Sequence, residues 1–141
     1  MMQDCIFCRI LRGELPCEKI YHTESLFAFL DIAPIAPGHA LVIPTKHYPT
    51  LWDVPDDLAP ELSKSLRLVG HAVLKATQAS GLNVVMNNYA SAGQVVPHAH
   101  WHMIPRHEDD QLLQVVQGKY SSDQAMQQMG EGIRRVLNEE S

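Results

Sequence analysis

The sequence predicts an α+β fold built on a mainly antiparallel sheet, and three observations support this fold class. Short apolar runs separated by turn residues indicate strands in both 19–44 and 82–104. Apolar residues with a helical period from Pro60 to Ser80-Gly81 and over about 121–138 indicate one long central helix and a C-terminal helix. The 141 residues contain no repeat, low-complexity tract or long linker, so we expect one domain, 1–141.

In the first half, "KIYH" (19–22) and "LFAFLDI" (26–32) are expected to form a hairpin around Thr23-Glu24-Ser25. "APGHALVIP" (36–44) is predicted to be a buried strand, opened by Pro37-Gly38 and closed by Pro44. The central helix follows, with Pro60 suited to its first position. Its predicted apolar stripe is Leu62, Leu66, Val69 and Val73.

The second half repeats the order of strands and helix. "LNVVMNNY" (82–89) is predicted to be a strand, "ASAGQ" (90–94) a loop, and "HAHWHMI" (98–104) a strand bounded by two prolines. For the C-terminal helix we expect Ser121 or Ser122 as the N-cap. Its predicted apolar stripe is Met126, Met129, Ile133 and Leu137.

Charge and hydropathy limit the possible partners. The net charge is −5 with neutral histidines, so the surface has no general attraction for nucleic acid or an anionic membrane. No apolar run approaches the length of a membrane span, and the start "MMQDCIFCRI" lacks the pattern of a signal peptide. We therefore expect a cytoplasmic protein with no nucleic-acid or membrane partner.

Three histidines, His98, His100 and His102, alternate along the last predicted strand. Side chains two apart on a strand share a face and lie roughly 6.6 Å apart, while Ala99, Trp101 and Met103 would pack on the core. The pattern fits a solvated edge-strand face, a three-histidine metal site or a catalytic set. A single ion suits it poorly, because three such side chains on a straight strand point nearly parallel. Imidazoles can act as nucleophile, acid and anion-binding donor at neutral pH.

The cysteine pattern Cys5-x-x-Cys8 is half of a metal site or a redox pair. Because the chain has only three cysteines, histidines would have to complete a metal site. A thioredoxin-like role is the weaker alternative, since no βα element follows "CIFC". Cys17 stands apart and is expected to be a small, part-buried apolar residue.

These motifs resemble the histidine triad (HIT) family. "HAHWHMI" fits the signature of three histidines alternating with apolar residues, flanked by Gly93-Gln94 and Pro105-Arg106. "FLDIAPIAPGHALVIPTKH" (29–47) and "NVVMNNYASAGQ" (83–94) resemble the two other family segments. The resemblance covers most of the chain and mixes features of the Hint and Fhit branches.

The resemblance implies a role for each matching residue. His100 corresponds to the nucleophile that forms a nucleotidyl-histidine, His102 to the residue that contacts phosphate and assists the leaving group, and His39 to a fourth active-site histidine. Substrate-binding roles fall on Asp31 (ribose), on Asn87 and Gln94 (phosphate or leaving group), and on an apolar base pocket of Ile6, Phe7, Phe29 and Ile32. Backbone hydrogen bonding is the competing role for Asn87 and Gln94, and capping a turn for Asp31. Backbone amides of the 90–95 loop would face the phosphate.

The resemblance also implies a structural zinc ion on Cys5, Cys8, His47 and His98, with no metal required for catalysis. A closed site with four protein ligands has no open position for water, so this zinc would hold the N-terminal segment against the active strand.

The implied function is a nucleotide hydrolase or nucleotidyl transferase that acts at the α-phosphate of purine nucleotides, as a homodimer. Candidate substrates are nucleoside phosphoramidates, aminoacyl adenylates and diadenosine polyphosphates. The alternatives are a nucleotide- or partner-binding module with vestigial turnover, and a phosphorylase or nucleotidylyltransferase.

Overall fold

The computed structural model describes residues 4–140 and confirms the α+β class with a mainly antiparallel sheet. From residue 19 onward its helices and strands follow the predicted order, whereas the short N-terminal helix at Ile6–Leu11 was not predicted. The elements are α1 (Ile6–Leu11), β1 (Lys19–His22), β2 (Leu26–Leu30), β3 (Ala40–Pro44), α2 (Ala59–Ala76), β4 (Gly81–Met86), β5 (Trp101–Arg106) and α3 (Asp123–Glu140). Three short 3₁₀ turns lie at Leu51–Asp53, Asp56–Leu58 and Ala90–Ala92.

The five strands form one sheet in the order β1-β2-β3-β5-β4, and every pair is antiparallel. β3 and β5 are therefore neighbours, although some 56 residues separate their nearest ends in the chain (44 to 101). Leu41 pairs with His102, and His39 immediately precedes β3. Diagonal neighbours on one face of a sheet lie within reach of long side chains. The sheet order thus brings His39 beside the triad.

The two faces of the sheet carry different clusters. One face packs against α2 to form the main core, which contains Ala99, Trp101 and Met103 as predicted. Gly70 lets the helix approach closely, because a Cβ there would lie 2.8 Å from the Met103 side chain. The opposite face packs against α1 through a second buried cluster of Cys5, Phe7, Cys8, Phe29, Leu41 and Ile43. The candidate site lies on this second face.

The hairpin turn is confirmed. The Thr23 hydroxyl accepts hydrogen bonds from the backbone amides of Ser25 and Leu26, and the Thr23 amide donates to the Leu26 carbonyl at 2.8 Å. At α3 the N-cap is Ser122, whose Oγ accepts from the Ala125 amide at 3.0 Å.

Several predicted strands are too long. β5 begins at Trp101 rather than at 98, because the amides before it are used elsewhere: His98 N donates to Val96 O and Ala99 N to Tyr48 O. β4 ends at Met86 rather than at 89, since Tyr89 has a φ of 72° that no strand accommodates. β2 and β3 are likewise confined to 26–30 and 40–44, and α2 ends at Ala76, before Gln78 with its φ of 56°.

One predicted environment differs. Cys17 is exposed, not part-buried. The apolar stripe of α3 faces outward, with Met126, Met129, Ile133 and Leu137 each more than half exposed. No helix in the described part of the chain is long and apolar enough to cross a membrane.

Candidate active site

The three histidines occupy two settings at the start of β5. His98 and His100 lie just before the strand and are buried, whereas His102 lies within it and is partly exposed. The Phe7 ring of α1 packs edge-on against both His98 and His100, with centroids 5.8 Å and 5.2 Å away. The His100 and His102 rings are 4.9 Å apart. α1 thus covers the first two histidines and leaves the third accessible.

His98 belongs to a cysteine–histidine cluster. Its Nε2–H donates to the Pro44 carbonyl at 2.9 Å, because a carbonyl oxygen can only accept. In the neutral ring Nδ1 then keeps its lone pair, and it lies 3.4 Å from Cys5 Sγ and 3.6 Å from Cys8 Sγ. His47 Nδ1 lies 3.3 Å from Cys8 Sγ. The four ligand atoms lie within 4.8 Å of one another.

The geometry of this cluster fits a metal ion. With Zn–S of about 2.3 Å and Zn–N of about 2.0–2.1 Å, a tetrahedral site has S···N edges of roughly 3.5 Å. The three measured distances of 3.3–3.6 Å agree with such edges. Cys5 is the N-cap of α1 and Cys8 follows one turn later, so the helix start places both thiols side by side. Burial raises the pKa of the Cys8 thiol to about 11, helped by its hydrogen bond with Cys5.

A backbone carbonyl also fixes the tautomer of His100. Its Nδ1–H donates to the His98 carbonyl at 2.7 Å, which leaves Nε2 unprotonated in the neutral ring. Burial lowers the pKa of His100 and so favours this neutral form. The ring therefore presents a basic nitrogen with a free lone pair.

His39 and His102 form a directional pair whose tautomers a backbone amide sets. The Ile35 amide donates to His39 Nδ1 at 3.0 Å, so the proton of neutral His39 sits on Nε2. That Nε2–H donates to His102 Nδ1 at 2.9 Å, and His102 must then carry its own proton on Nε2. Burial lowers the pKa of His39, and burial together with the neighbouring histidines lowers the pKa of His102 to about 4.

Asp31 completes this group. Its Oδ2 lies 3.7 Å from His39 Nε2, and its Oδ1 accepts from the Ala33 amide at 2.9 Å. The ligand atoms of Asp31, His39 and His102 are close enough for a metal ion. The tautomer argues against that use, because the protonated Nε2 of His39 offers no lone pair to a cation. The carboxylate instead supplies negative charge beside the histidine pair.

The Gln94 side chain is occupied in holding the loop before the triad. Its Nε2 donates to Pro49 O at 2.6 Å and to Val96 O at 3.0 Å, and its Oε1 accepts from the Tyr89 amide at 2.8 Å. Both amide protons are used, so this conformation leaves none for a phosphate. Asn87 lies under the same loop, with its Nδ2 3.6 Å from where a Cβ on Gly93 would be.

The four residues predicted to bind the base are placed differently from one another. Phe7 and Phe29 are buried and pack edge-on with centroids 5.6 Å apart, whereas Ile6 is 46% and Ile32 98% exposed. Phe7 packs beside His100 and Phe29 packs against Phe7, whereas the two isoleucines lie at the surface. A base pocket made by all four remains a prediction.

Several groups that shape this site could not be found from a sequence pattern. The Pro44 carbonyl and the Ile35 amide set histidine tautomers, yet any residue provides a backbone carbonyl and almost any residue an amide. Trp52 and Tyr89 stack with centroids 5.4 Å apart and planes inclined by 12°. They lie 37 positions apart in the sequence, and no local pattern links them.

Comparison with known proteins agrees with the motif. A model of the HIT domain matches residues 12–109. Adenylylsulfatase HINT3 of Arabidopsis thaliana is 43% identical over 112 residues, 79% of this chain but only 57% of that protein, so this chain spans less than two thirds of that relative. Adenosine 5'-monophosphoramidase hnt1 of Schizosaccharomyces pombe is 37% identical over 130 residues, 92% of this chain and 95% of that protein.

Solved structures agree as well. A HIT family member from Bacillus subtilis superposes with a TM-score of 0.86 at 32% identity, covering 94% of this chain and 96% of its own. A zinc-bound histidine triad protein from Mycobacterium smegmatis superposes with a TM-score of 0.73 at 30% identity, covering 92% and 97%. With the family model matching well over half of its length, the chain belongs to the HIT domain family.

Proposed function

We propose that this protein is a nucleotide hydrolase or nucleotidyl transferase that acts at the α-phosphate of purine nucleotides through a nucleotidyl intermediate on His100. The observation that carries the proposal is the tautomer of His100, whose Nδ1–H is bound to the His98 carbonyl so that Nε2 has a free lone pair. Relatives named adenylylsulfatase and adenosine 5'-monophosphoramidase support a reaction at this phosphate.

In the first step His100 Nε2 attacks the α-phosphorus, and the bond to the leaving group breaks. The His102 Nε2–H is oriented to donate a hydrogen bond to the departing atom, whose proton comes from solvent, and the His39 Nε2–H holds His102 in this tautomer through their 2.9 Å contact. A water molecule then attacks the phosphorus, His100 leaves, and the nucleoside monophosphate is released. The negative charge of Asp31 stabilises the positive charge that the His100 ring gains when its Nε2 bonds to phosphorus.

Substrate binding is distributed around His100. Asp31 accepts from the ribose hydroxyls, and the base lies against Phe7, Phe29 and the exposed Ile6 and Ile32. Phosphate oxygens contact amides of the 90–95 loop other than those of Ala92, Gly93 and Gln94, which donate to the Tyr89 and Ala90 carbonyls. Asn87 and Gln94 support this loop from below. Nucleoside phosphoramidates, aminoacyl adenylates and diadenosine polyphosphates are the candidate substrates, because each has a good leaving group on the α-phosphate of a nucleotide.

The test is AMP release from adenosine phosphoramidate at neutral pH, by the wild type and by His100→Gly. We expect turnover in the wild type and at least a thousandfold loss in the variant, with AMP affinity retained, because a missing nucleophile abolishes chemistry rather than binding. The exposed His22 provides a matched control, and His22→Gln should keep full activity. Turnover by His100→Gly at the wild-type rate would refute the assignment.

Two other functions share this pocket and differ in the outcome of the same assay. A binding module would bind AMP without turnover of phosphoramidates, adenylates or diadenosine polyphosphates. A phosphorylase or nucleotidylyltransferase would yield a new nucleotide product when phosphate or a hexose phosphate is added.

We further propose a structural zinc ion on Cys5, Cys8, His47 and His98. When bound, the metal cross-links α1 to the segments before β5 and after β3, and the catalytic histidines act without it. Elemental analysis of protein purified without chelator should give one zinc per chain, and Cys8→Ser should lose it. The exposed Cys17 is the control, since Cys17→Ser should keep the metal. Substantially less than one zinc per chain in the wild type would refute the site.

A homodimer is the third part of the proposal. Its support is the apolar stripe of α3, where Met126, Met129, Ile133 and Leu137 are 51–59% exposed. Leu68 of α2 and Val84 of the edge strand β4 are exposed as well. Sedimentation equilibrium should give twice the chain mass of 15.8 kDa. Ile133→Glu should weaken the dimer more than Gln128→Glu, which adds the same charge off the stripe. A monomer at micromolar concentration would refute it.

A further inference from the structure

Two exposed aromatic rings, those of Trp52 and Tyr89, stack at the start of the 90–95 loop that precedes the triad. Trp52 is 68% and Tyr89 60% exposed, and the rings stack with planes inclined by only 12°. Trp52 belongs to the 3₁₀ turn Leu51–Asp53, and Tyr89 is the residue before the turn Ala90–Ala92. We call this pair the aromatic platform. Its aromatic area lies in solvent, where a ring costs free energy unless something covers it.

The backbone at Tyr89 is held in a conformation that a tyrosine rarely adopts. Its φ of 72° and ψ of 158° lie in a region that is essentially restricted to glycine. Three hydrogen bonds maintain it: the Tyr89 amide donates to Gln94 Oε1, and the Tyr89 carbonyl accepts from the amides of Ala92 and Gln94. The fold therefore keeps a large ring where glycine would be unstrained.

The platform is fixed to the same frame as the candidate nucleophile. The Asn88 side chain accepts from the Leu51 amide at 2.8 Å, which ties the two halves of the platform together. Gln94 links Tyr89 to Pro49 O and to Val96 O, and Val96 O also accepts from the His98 amide. The His98 carbonyl in turn holds His100. One continuous set of hydrogen bonds thus connects the platform to the reacting ring.

The platform and Phe7 connect to His100 through different elements, the platform through the hydrogen bonds of residues 89–98 and Phe7 through α1. Phe7 packs against His100 from the α1 side, where the base and ribose are proposed to bind. The 90–95 loop, proposed to contact phosphate, lies between the triad and Tyr89 in the chain. A substrate with its base toward Phe7 and its phosphate on the loop would extend its leaving group toward Tyr89 and Trp52.

We propose that the aromatic platform is a leaving-group subsite that selects substrates whose leaving group carries a planar aromatic ring. This inference rests on the proposed function, since it deepens the substrate class of the same site. The ring stacks on the exposed face of Trp52, and Tyr89 supports Trp52 from the other side. Stacking on an exposed aromatic side chain corresponds to about 5- to 150-fold in affinity.

The test compares two adenosine phosphoramidates of matched size, one N-substituted with 2-phenylethyl and the other with 2-cyclohexylethyl. Both substituents are apolar six-membered rings, but only phenyl has a π face. We expect the wild type to prefer the phenyl compound about tenfold in kcat/KM, and Trp52→Leu to reduce this preference to less than about twofold. Leu51→Ala is the matched control, because Leu51 is an exposed apolar residue of the same turn. It should keep the preference.

The same ratio measured as Kd by calorimetry, in the His100→Gly variant, does not depend on turnover. If the wild type turns over neither compound, nor an aminoacyl adenylate, nor a diadenosine polyphosphate, the proposed function fails. A phenyl preference in binding that Trp52→Leu removes would still support the subsite. Equal kcat/KM and equal Kd for the two compounds in otherwise intact protein would overturn the subsite and leave the proposed function standing. A preference that survives Trp52→Leu would overturn it as well.

Discussion

Replacing Gln94 with alanine removes three hydrogen bonds at once from the loop before the triad, those to Pro49 O, Val96 O and Tyr89 N. At about 1 kcal/mol net for each bond, the loss is about 3 kcal/mol. Tyr89 loses one of the three hydrogen bonds that hold its strained conformation, and partial relaxation there returns about 1 kcal/mol. We therefore expect Gln94→Ala to lower the free energy of unfolding by about 2 kcal/mol.

Gln94→Glu tests the hydrogen bonds that the side chain donates separately from the one that it accepts. The carboxylate can still accept from the Tyr89 amide, but it cannot donate to the two carbonyl oxygens and places negative charge against them. We expect it to be at least as destabilising as alanine, despite its nearly identical shape. Urea unfolding monitored by tryptophan fluorescence measures both variants, because Trp52 lies beside this loop and the chain has only two tryptophans.

Kinetics then distinguish a positioning role from a substrate contact. Since both amide protons of Gln94 are used within the protein, the variants should lower kcat for adenosine phosphoramidate by about 10- to 100-fold and change KM less than about threefold. A variant of wild-type stability with unchanged kcat and a large rise in KM would refute this reasoning. In that case the side chain would bind substrate directly, the role that the family resemblance implies.

Three further outcomes are expected. Because the pKa of His102 is lowered from 6.5 to about 4, its contribution to folding stability should be complete above about pH 6.5 and fall as the pH decreases toward about 4. His102→Gln should remove roughly 2–3 kcal/mol of the loss of stability between about pH 7.5 and about pH 4.5. Ser65→Ala should stabilise the protein by about 1 kcal/mol, since the buried Ser65 hydroxyl has no hydrogen-bond partner among the described residues. Gly38→Ala should destabilise it by about 2–4 kcal/mol, because φ is +96° and the new Cβ would collide with the Thr77 methyl group.

Each of these outcomes has a measurement that contradicts it. Equal loss of stability on acidification in wild type and His102→Gln would show that His102 is not held neutral by the fold. A destabilised Ser65→Ala would mean that a buried water binds the hydroxyl. For Gly38 the matched control is Gly132→Ala in α3, where nothing lies within 4 Å of the new Cβ and alanine favours the helix. Similar effects at both glycines would refute the steric argument.

Local patterns in the sequence were sufficient for much of the fold. The alternation around the triad correctly put Ala99, Trp101 and Met103 in the core, because successive side chains near a strand point to opposite faces. The helical spacing of the apolar residues between 62 and 73 predicted α2, which covers these three side chains. Strand ends were predicted less well, since Tyr48 and Val96 compete for the amides that would otherwise extend β5. Such competition depends on segments that are distant in the chain.

The sequence by itself determined which residue types are present and at what spacing: three alternating histidines, a cysteine pair three positions apart and a fourth histidine before an apolar strand. Only the tertiary structure decided which ring nitrogen of each histidine carries the proton. Those protons are set by the Pro44 and His98 carbonyls and the Ile35 amide. Backbone groups of this kind occur at nearly every residue, so composition and spacing contain no information about which of them a folded chain brings to a histidine.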